Sequence, residues 1–190
     1  MSAQNLRIIE LRREPSTESN DTLVFEGGVN VVTGEKDAGK TVWLKMLDYL
    51  MADDAVPEDA FGAAVAAKYD SLHARFGIGN QEIKVERRWK EKGLKTKIFL
   101  NGESLNTDEF GRKLMEMLGI PLLRFPKGNP YEDRTWPELS LRMLFRHIYR
   151  QERFWTDFAD KQPEVEQHAC ICQFMGAAAQ VFPREYGELV

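Results

Sequence analysis

Cysteine is scarce in this 190-residue chain, and so are histidine and any strong imbalance of charge. The two cysteines, Cys170 and Cys172, sit one residue apart in an apolar, helix-like stretch. On a helix such neighbours point to different faces, which argues against a disulfide or a shared metal and for free buried thiols. The count fits a reducing compartment. No apolar run approaches the roughly 20 residues that span a bilayer. Met1 to Glu10 lacks the charged-then-apolar pattern of a secretory signal. A soluble, cytoplasmic protein without membrane partners is expected. Net charge is only −4, so bulk charge gives no reason for binding a polyanion. What is present is ordinary for a globular domain, with 43% hydrophobic and 29% charged residues. A chain of this length can bury a core without staples.

Hydrophobic periodicity orders the first half of the chain. Leu6 to Leu11 and Thr22 to Glu26 read as strands joined by a polar loop. Gly27-Gly28 turns the chain, and Val29 to Thr33 is rich in β-branched residues, the composition of a buried parallel strand. Lys40 to Met51 follows as a helix whose face of Val42, Trp43, Met46, Leu47 and Leu50 should pack on a sheet. Asp53 to Ala60 reads as a polar connection. Between Leu72 and Leu100, alternation broken by Gly79-Asn80 and Gly93 predicts a three-stranded antiparallel meander, ended by Asn101-Gly102. Arg87 is the exception to the alternation. Asn106 or Thr107 should cap a helix carrying Phe110, Leu114, Met117 and Leu118 and stopped by Gly119. Two more helices are expected, from Pro137 to about Arg150 and from Pro163 to Val181.

One motif carries chemistry. Gly34-Glu35-Lys36-Asp37-Ala38-Gly39-Lys40-Thr41 matches G-x-x-x-x-G-K-[ST], between the apolar run and the helix, as a phosphate-binding loop requires. Backbone N–H groups in such a loop form an anion nest, and the following helix adds its positive end. Gly34 and Gly39 permit close backbone approach to phosphates. Lys40 supplies a compact charge for the β and γ phosphates, and the Thr41 hydroxyl a ligand for Mg²⁺. Asp37 is an acidic side chain in a loop built for anions, and is expected to point away from them. ATP and Mg²⁺ are the implied ligands.

A base-reading N-K-x-D sequence is absent. Asp108-Glu109-Phe110-Gly111 has the form of a GTPase switch but follows a polar stretch rather than an apolar strand. Two strands precede the phosphate-loop strand, and Gly28 and Asn30 stand just before it. In this, Leu6 to Met51 resembles the N-terminal half of an ABC-type ATPase head of the SMC and Rad-fifty-type group. The usual asparagine-glycine pair inside the loop is Lys36-Asp37 here. The resemblance implies an α/β P-loop NTPase head lobe with a mixed sheet. It divides the single lobe into a P-loop core (1–52), an antiparallel β-subdomain (68–105) and a C-terminal helical segment (106–190). It also implies a glutamine that senses Mg²⁺ and the γ-phosphate, for which Gln151 matches best and Gln162 less well. An arginine after the first strand, Arg12 or Arg13, would approach the nucleotide.

Two further parts of such heads are missing. No apolar strand ends in Asp-Glu, and no Leu-Ser-Gly-Gly-type signature occurs. The resemblance therefore implies an N-terminal lobe that binds ATP and needs a C-terminal lobe and a second ATPase head to hydrolyse it, in DNA repair, maintenance or defence. Alternatives are a stand-alone small P-loop kinase, for which no arginine-rich lid is found, and a non-hydrolysing nucleotide-dependent interaction module. Lys84 to Lys97 holds seven basic and two acidic residues, which makes Arg87, Arg88, Lys90 and Lys95 candidates for DNA contact, beside Lys84, Lys92 and Lys97. Arg142, Arg146 and Arg150 form a second stripe at helical spacing.

Overall fold

The computed structural model describes residues 4–127, 136–149 and 162–182, and the chain divides into two compact units, Met1–Gly119 and Ile120–Val190. The first unit is α/β, built on a six-stranded sheet of order β2-β1-β3-β4-β5-β6. The strands are β1 (Leu6–Glu14), β2 (Thr22–Val24), β3 (Ser71–Ile78), β4 (Gln81–Arg88), β5 (Ile98–Leu100) and β6 (Glu103–Leu105). Every pairing is antiparallel. The first two strands and the later meander thus share one sheet, because β1 pairs with both β2 and β3.

Alternation decides the two faces. Leu11, Ala74, Val85 and Leu100 lie directly opposite one another along one row of the sheet, and all are buried. The adjacent row, Arg12, His73, Glu86 and Phe99, points to the other face. That face is a lattice of opposite charges. Arg75 lies between Glu10 (3.2 Å) and Glu82 (2.6 Å), Arg88 holds Glu86 (2.7 Å), and Arg12 holds Glu14 (3.1 Å). The β5–β6 hairpin turns at Asn101 and Gly102, with φ of 50° and 88°. Two successive left-handed residues match the right-handed twist of the strands, and asparagine and glycine are the residues that tolerate them.

Helix α1 (Lys40–Leu50) buries Trp43, Met46, Tyr49 and Leu50. The tight ring cluster Tyr49–Phe61–Trp89, with centroids 5.3 to 6.2 Å apart, joins it to α2 (Pro57–Phe61) and to the chain just beyond β4. The stretch that reads as a polar connection therefore contains α2, with Pro57 at its first turn, and leads into α3 (Ala63–Lys68). Helix α4 (Thr107–Met117) opens with a reciprocal cap. Asn106 Oδ1 accepts from the Glu109 amide and Glu109 Oε2 from the Asn106 amide, each at 2.8 Å.

The expected buried strand at Val29 to Thr33 does not form. These residues belong to no strand or helix, and Val29 and Val31 are 94% and 77% exposed. The sheet is accordingly antiparallel throughout, not mixed. A β-branched run needs a neighbouring strand to satisfy its backbone, and among the described residues none lies beside it.

In the second unit, Leu123 and Phe125 bond across to Leu139 and Pro137 in a short extended pair. Helix α5 (Leu141–Ile148) starts later than Pro137, because Ser140 caps it, its Oγ accepting from the Met143 amide at 3.3 Å. Helix α6 (Glu164–Phe174) and the short α7 (Ala178–Val181) replace the single expected helix, with Gly176 at φ 72° between them. Cys170 and Cys172 are free and buried, as their apolar surroundings predict. Burial pushes the Cys170 thiol up to about 11.

Candidate phosphate site

Residues Glu26 to Ala38 are all exposed and form the approach to α1. Asn30 organises the entry. Its Nδ2 donates to the carbonyls of Glu26 (2.9 Å) and Gly28 (3.3 Å), and its Oδ1 accepts from the Glu26 amide (3.0 Å). The side chain thus ties off the Gly27-Gly28 turn, a local physical reason for an asparagine at this position.

The loop then runs from Gly34 into the first turn of α1, where Gly39 is the N-cap at φ 80° and accepts from the amides of Val42 and Trp43. A Cβ at Gly39 would meet nothing within 4 Å, so backbone conformation requires the glycine there, not crowding by the rest of the chain. At Gly34 a Cβ would make only ordinary contacts, 3.5 Å from the Ala38 Cβ. Neither packing nor left-handed backbone demands that glycine.

Lys40 folds back over the loop. Its ammonium donates to the carbonyls of Gly34 (2.9 Å) and Glu35 (2.6 Å), spanning the turn from its far end. Ala38 N closes the same turn on Glu35 O at 3.3 Å. The helix start and the lysine ammonium therefore meet at the loop, and Thr41 stands next in the first turn. Asp37 takes φ 62°, the left-handed conformation that a glycine would adopt freely.

The neighbouring arginines are placed otherwise. Arg13 lies within β1, and its Nε donates to Asp21 Oδ1 at 2.9 Å. The guanidinium stacks 4.4 Å from the ring centroids of both Trp43 and Tyr69. Asp21 is fully buried and also accepts from the Tyr69 hydroxyl (2.7 Å) and from the Thr17 and Glu18 amides, both at 2.9 Å. Burial alone would raise its carboxyl, but the bonds from Tyr69, Glu18, Thr17 and Arg13 together hold it well below the usual carboxylate range. Arg13 is thus committed to a structural clamp beside α1. Arg12 is on the opposite face of the sheet, paired with Glu14. Gln151 and Arg150 lie outside the described residues. Gln162 is 3% exposed and bonds the His147 ring at 2.9 Å, which makes it a tie inside the helical unit.

The basic cluster on β4 is corrected more sharply. Arg87 is 2% exposed. It occupies an inward position of the alternating strand, where its Nη1 donates to the carbonyls of Tyr49 (2.7 Å) and Asp53 (2.6 Å). Its guanidinium lies 3.5 Å from the Tyr49 ring centroid. Arg87 is therefore a buried cap on the end of α1 and is not available to DNA. Sequence reasoning took its charge as a sign of exposure, whereas its place among Ile83, Val85 and Trp89 signalled the inside. Arg88 is engaged by Glu86, and Lys95 by Glu58 at 3.1 Å. Lys90 is exposed, its Nζ reaching the Ala67 carbonyl at 3.4 Å. Of the second stripe, Arg146 is exposed and Arg142 half-buried. No protein-family description, curated protein or solved structure matches the chain.

Proposed function

We propose that this chain is the ATP-binding N-terminal lobe of an SMC-like P-loop ATPase head, serving DNA repair, maintenance or defence and needing a C-terminal lobe and head dimerisation for hydrolysis. The observation that carries the reading is the convergence of Lys40 on the Gly34 and Glu35 carbonyls at the start of an eleven-residue helix. An ammonium held there by two neutral acceptors can exchange them for phosphate oxygens, a stronger charge-assisted partnership. Gly34 to Gly39 would hold the phosphates, Lys40 would neutralise the β and γ groups, and the Thr41 hydroxyl would hold Mg²⁺. The metal supplies charge neutralisation between those phosphates.

The exposed Val29–Val32 run supports the half-site part of the proposal. Its composition is that of an inner strand, yet it is solvated over Val29 and Val31. A strand from a second lobe would satisfy its backbone and cover its valines. The acidic and basic groups of the outer sheet face neutralise one another, so the DNA role rests on the resemblance and not on this surface. The test is direct. Lys40→Ala should abolish ATP binding measured by equilibrium dialysis while leaving the melting temperature within about 4 °C, since the half-buried side chain bonds only to its own loop. Steady-state ATP hydrolysis by the 190-residue chain, lost in Lys40→Ala, would overturn the half-site reading.

A further inference from the structure

The phosphate loop is electrically neutral. Glu35 and Asp37 cancel Lys36 and Lys40 between Gly34 and Thr41. Asp37 is exposed, is in no ion pair among the described residues, and stands in left-handed backbone at φ 62°. It stands two positions before Gly39, the N-cap of α1, and two positions span at most about 7 Å. Whatever rotamer it adopts, its carboxylate thus lies near one screening length, roughly 8 Å at physiological salt, of the site where phosphates would sit. We infer that Asp37 is a specificity-determining residue that makes the loop discriminate against uncomplexed nucleotide in favour of the magnesium complex. The inference rests on the ATP-binding reading above.

The discrimination is a matter of charge. Uncomplexed triphosphate carries roughly four negative charges and its magnesium complex roughly two, and repulsion by a fixed unit charge scales with that number. At this range the carboxylate weakens binding of the free form by about fourfold and of the complex by about twofold, since halving the charge takes the square root of the factor. Asparagine keeps the shape and tolerates left-handed backbone, so Asp37→Asn removes the charge without disturbing the turn. Asp37→Gly removes the charge and the backbone constraint together.

The experiment is equilibrium dialysis of ATP against the wild type, Asp37→Asn, Asp37→Gly and Lys40→Ala, in excess chelator and in excess magnesium. Asp37→Asn should tighten free ATP about fourfold and the magnesium complex about twofold, with both gains vanishing in about 1 M salt, where screening shortens to about 3 Å. Asp37→Gly should bind at least as tightly as Asp37→Asn. Three results overturn the inference: an Asp37→Asn affinity equal to or weaker than wild type, a gain of the same size with and without magnesium, or a gain that survives high salt. Failure of Lys40→Ala to reduce binding would instead refute the loop as the ATP site. Loss of binding in Lys40→Ala with no change in Asp37→Asn would leave the ATP reading intact and refute only the role of Asp37.

Discussion

Replacing Arg87 with methionine separates two readings of the basic cluster on β4. Methionine matches the length of the arginine stem and fills much of the same space, but cannot donate to the Tyr49 and Asp53 carbonyls. Each hydrogen bond from a charged donor contributes about 1.5–3 kcal/mol, and the stacking on Tyr49 adds about 1–2 kcal/mol. Against this, methionine avoids the desolvation of a buried guanidinium, a cost of several kcal/mol. The difference leaves a net destabilisation of about 3 kcal/mol, since the Tyr49 carbonyl in α1 and the Asp53 carbonyl just beyond it lose a charged donor. For a chain of this size that lowers the melting temperature by about 6–12 °C. Circular dichroism melts of Arg87→Met and Arg87→Glu should reveal the loss, larger for glutamate, which buries an opposed charge. A melting temperature within 1–2 °C of wild type for both variants, combined with loss of low-salt DNA binding, would refute the buried cap and restore the surface reading.

Acid and base should each remove one stabilising group. The Asp21 carboxyl is depressed by its partners, so its contribution is present above about pH 4 and is lost as pH falls towards its folded value. Burial raises Tyr49 to about 12, so its contribution is present below about pH 10 and is lost as pH rises through about 12. Chemical denaturation across pH should show stability falling towards both extremes, and Asp21→Asn should flatten the acid limb while costing about 3 kcal/mol at neutral pH, as expected on breaking a buried pair. Cys170, buried with its thiol raised to about 11, should resist alkylation at pH 8 until the fold is opened by denaturant, as mass spectrometry of labelled peptides would record. Asn30→Ala should loosen the entry to the phosphate loop, with faster amide exchange over Glu26 to Gly28 and weaker ATP binding at an unchanged melting temperature.

The strands of the meander were legible because a half-buried sheet enforces a period of two, and Leu72 to Ile78 and Ile83 to Trp89 carry it. Helix α1 was legible from its apolar face, and α4 from its cap and its terminating glycine. β6 escaped notice because three residues, Glu103–Leu105, hold too little alternation to register. Helices α2 and α3 were missed for a similar reason, being short and sitting in a stretch whose polar residues are solvent-facing. The Val29 to Thr33 run exposes a different limit. Composition reports the environment a segment suits, not whether the covering partner belongs to the same chain. At the candidate site the motif marked where α1 begins, at Lys40, while phosphate binding by its glycines and lysine stands as the proposal. The fates of Arg13 and Arg87 were not, because a guanidinium can sit equally well in water or on buried carbonyls and rings. Only the pairing register decided between these.

The stacking of Arg13 on Trp43 gives the protein an optical gauge of its own loop. Trp43 stands three positions after Lys40 on α1, with the guanidinium 4.4 Å from its ring centroid and its side chain almost fully enclosed. Any tilt of the first helical turn would change the separation of charge and indole, and with it the wavelength and yield of emission. If the loop takes nucleotide as proposed, a shift of that turn would show in the Trp43 share of the intrinsic fluorescence of the four tryptophans, without a label.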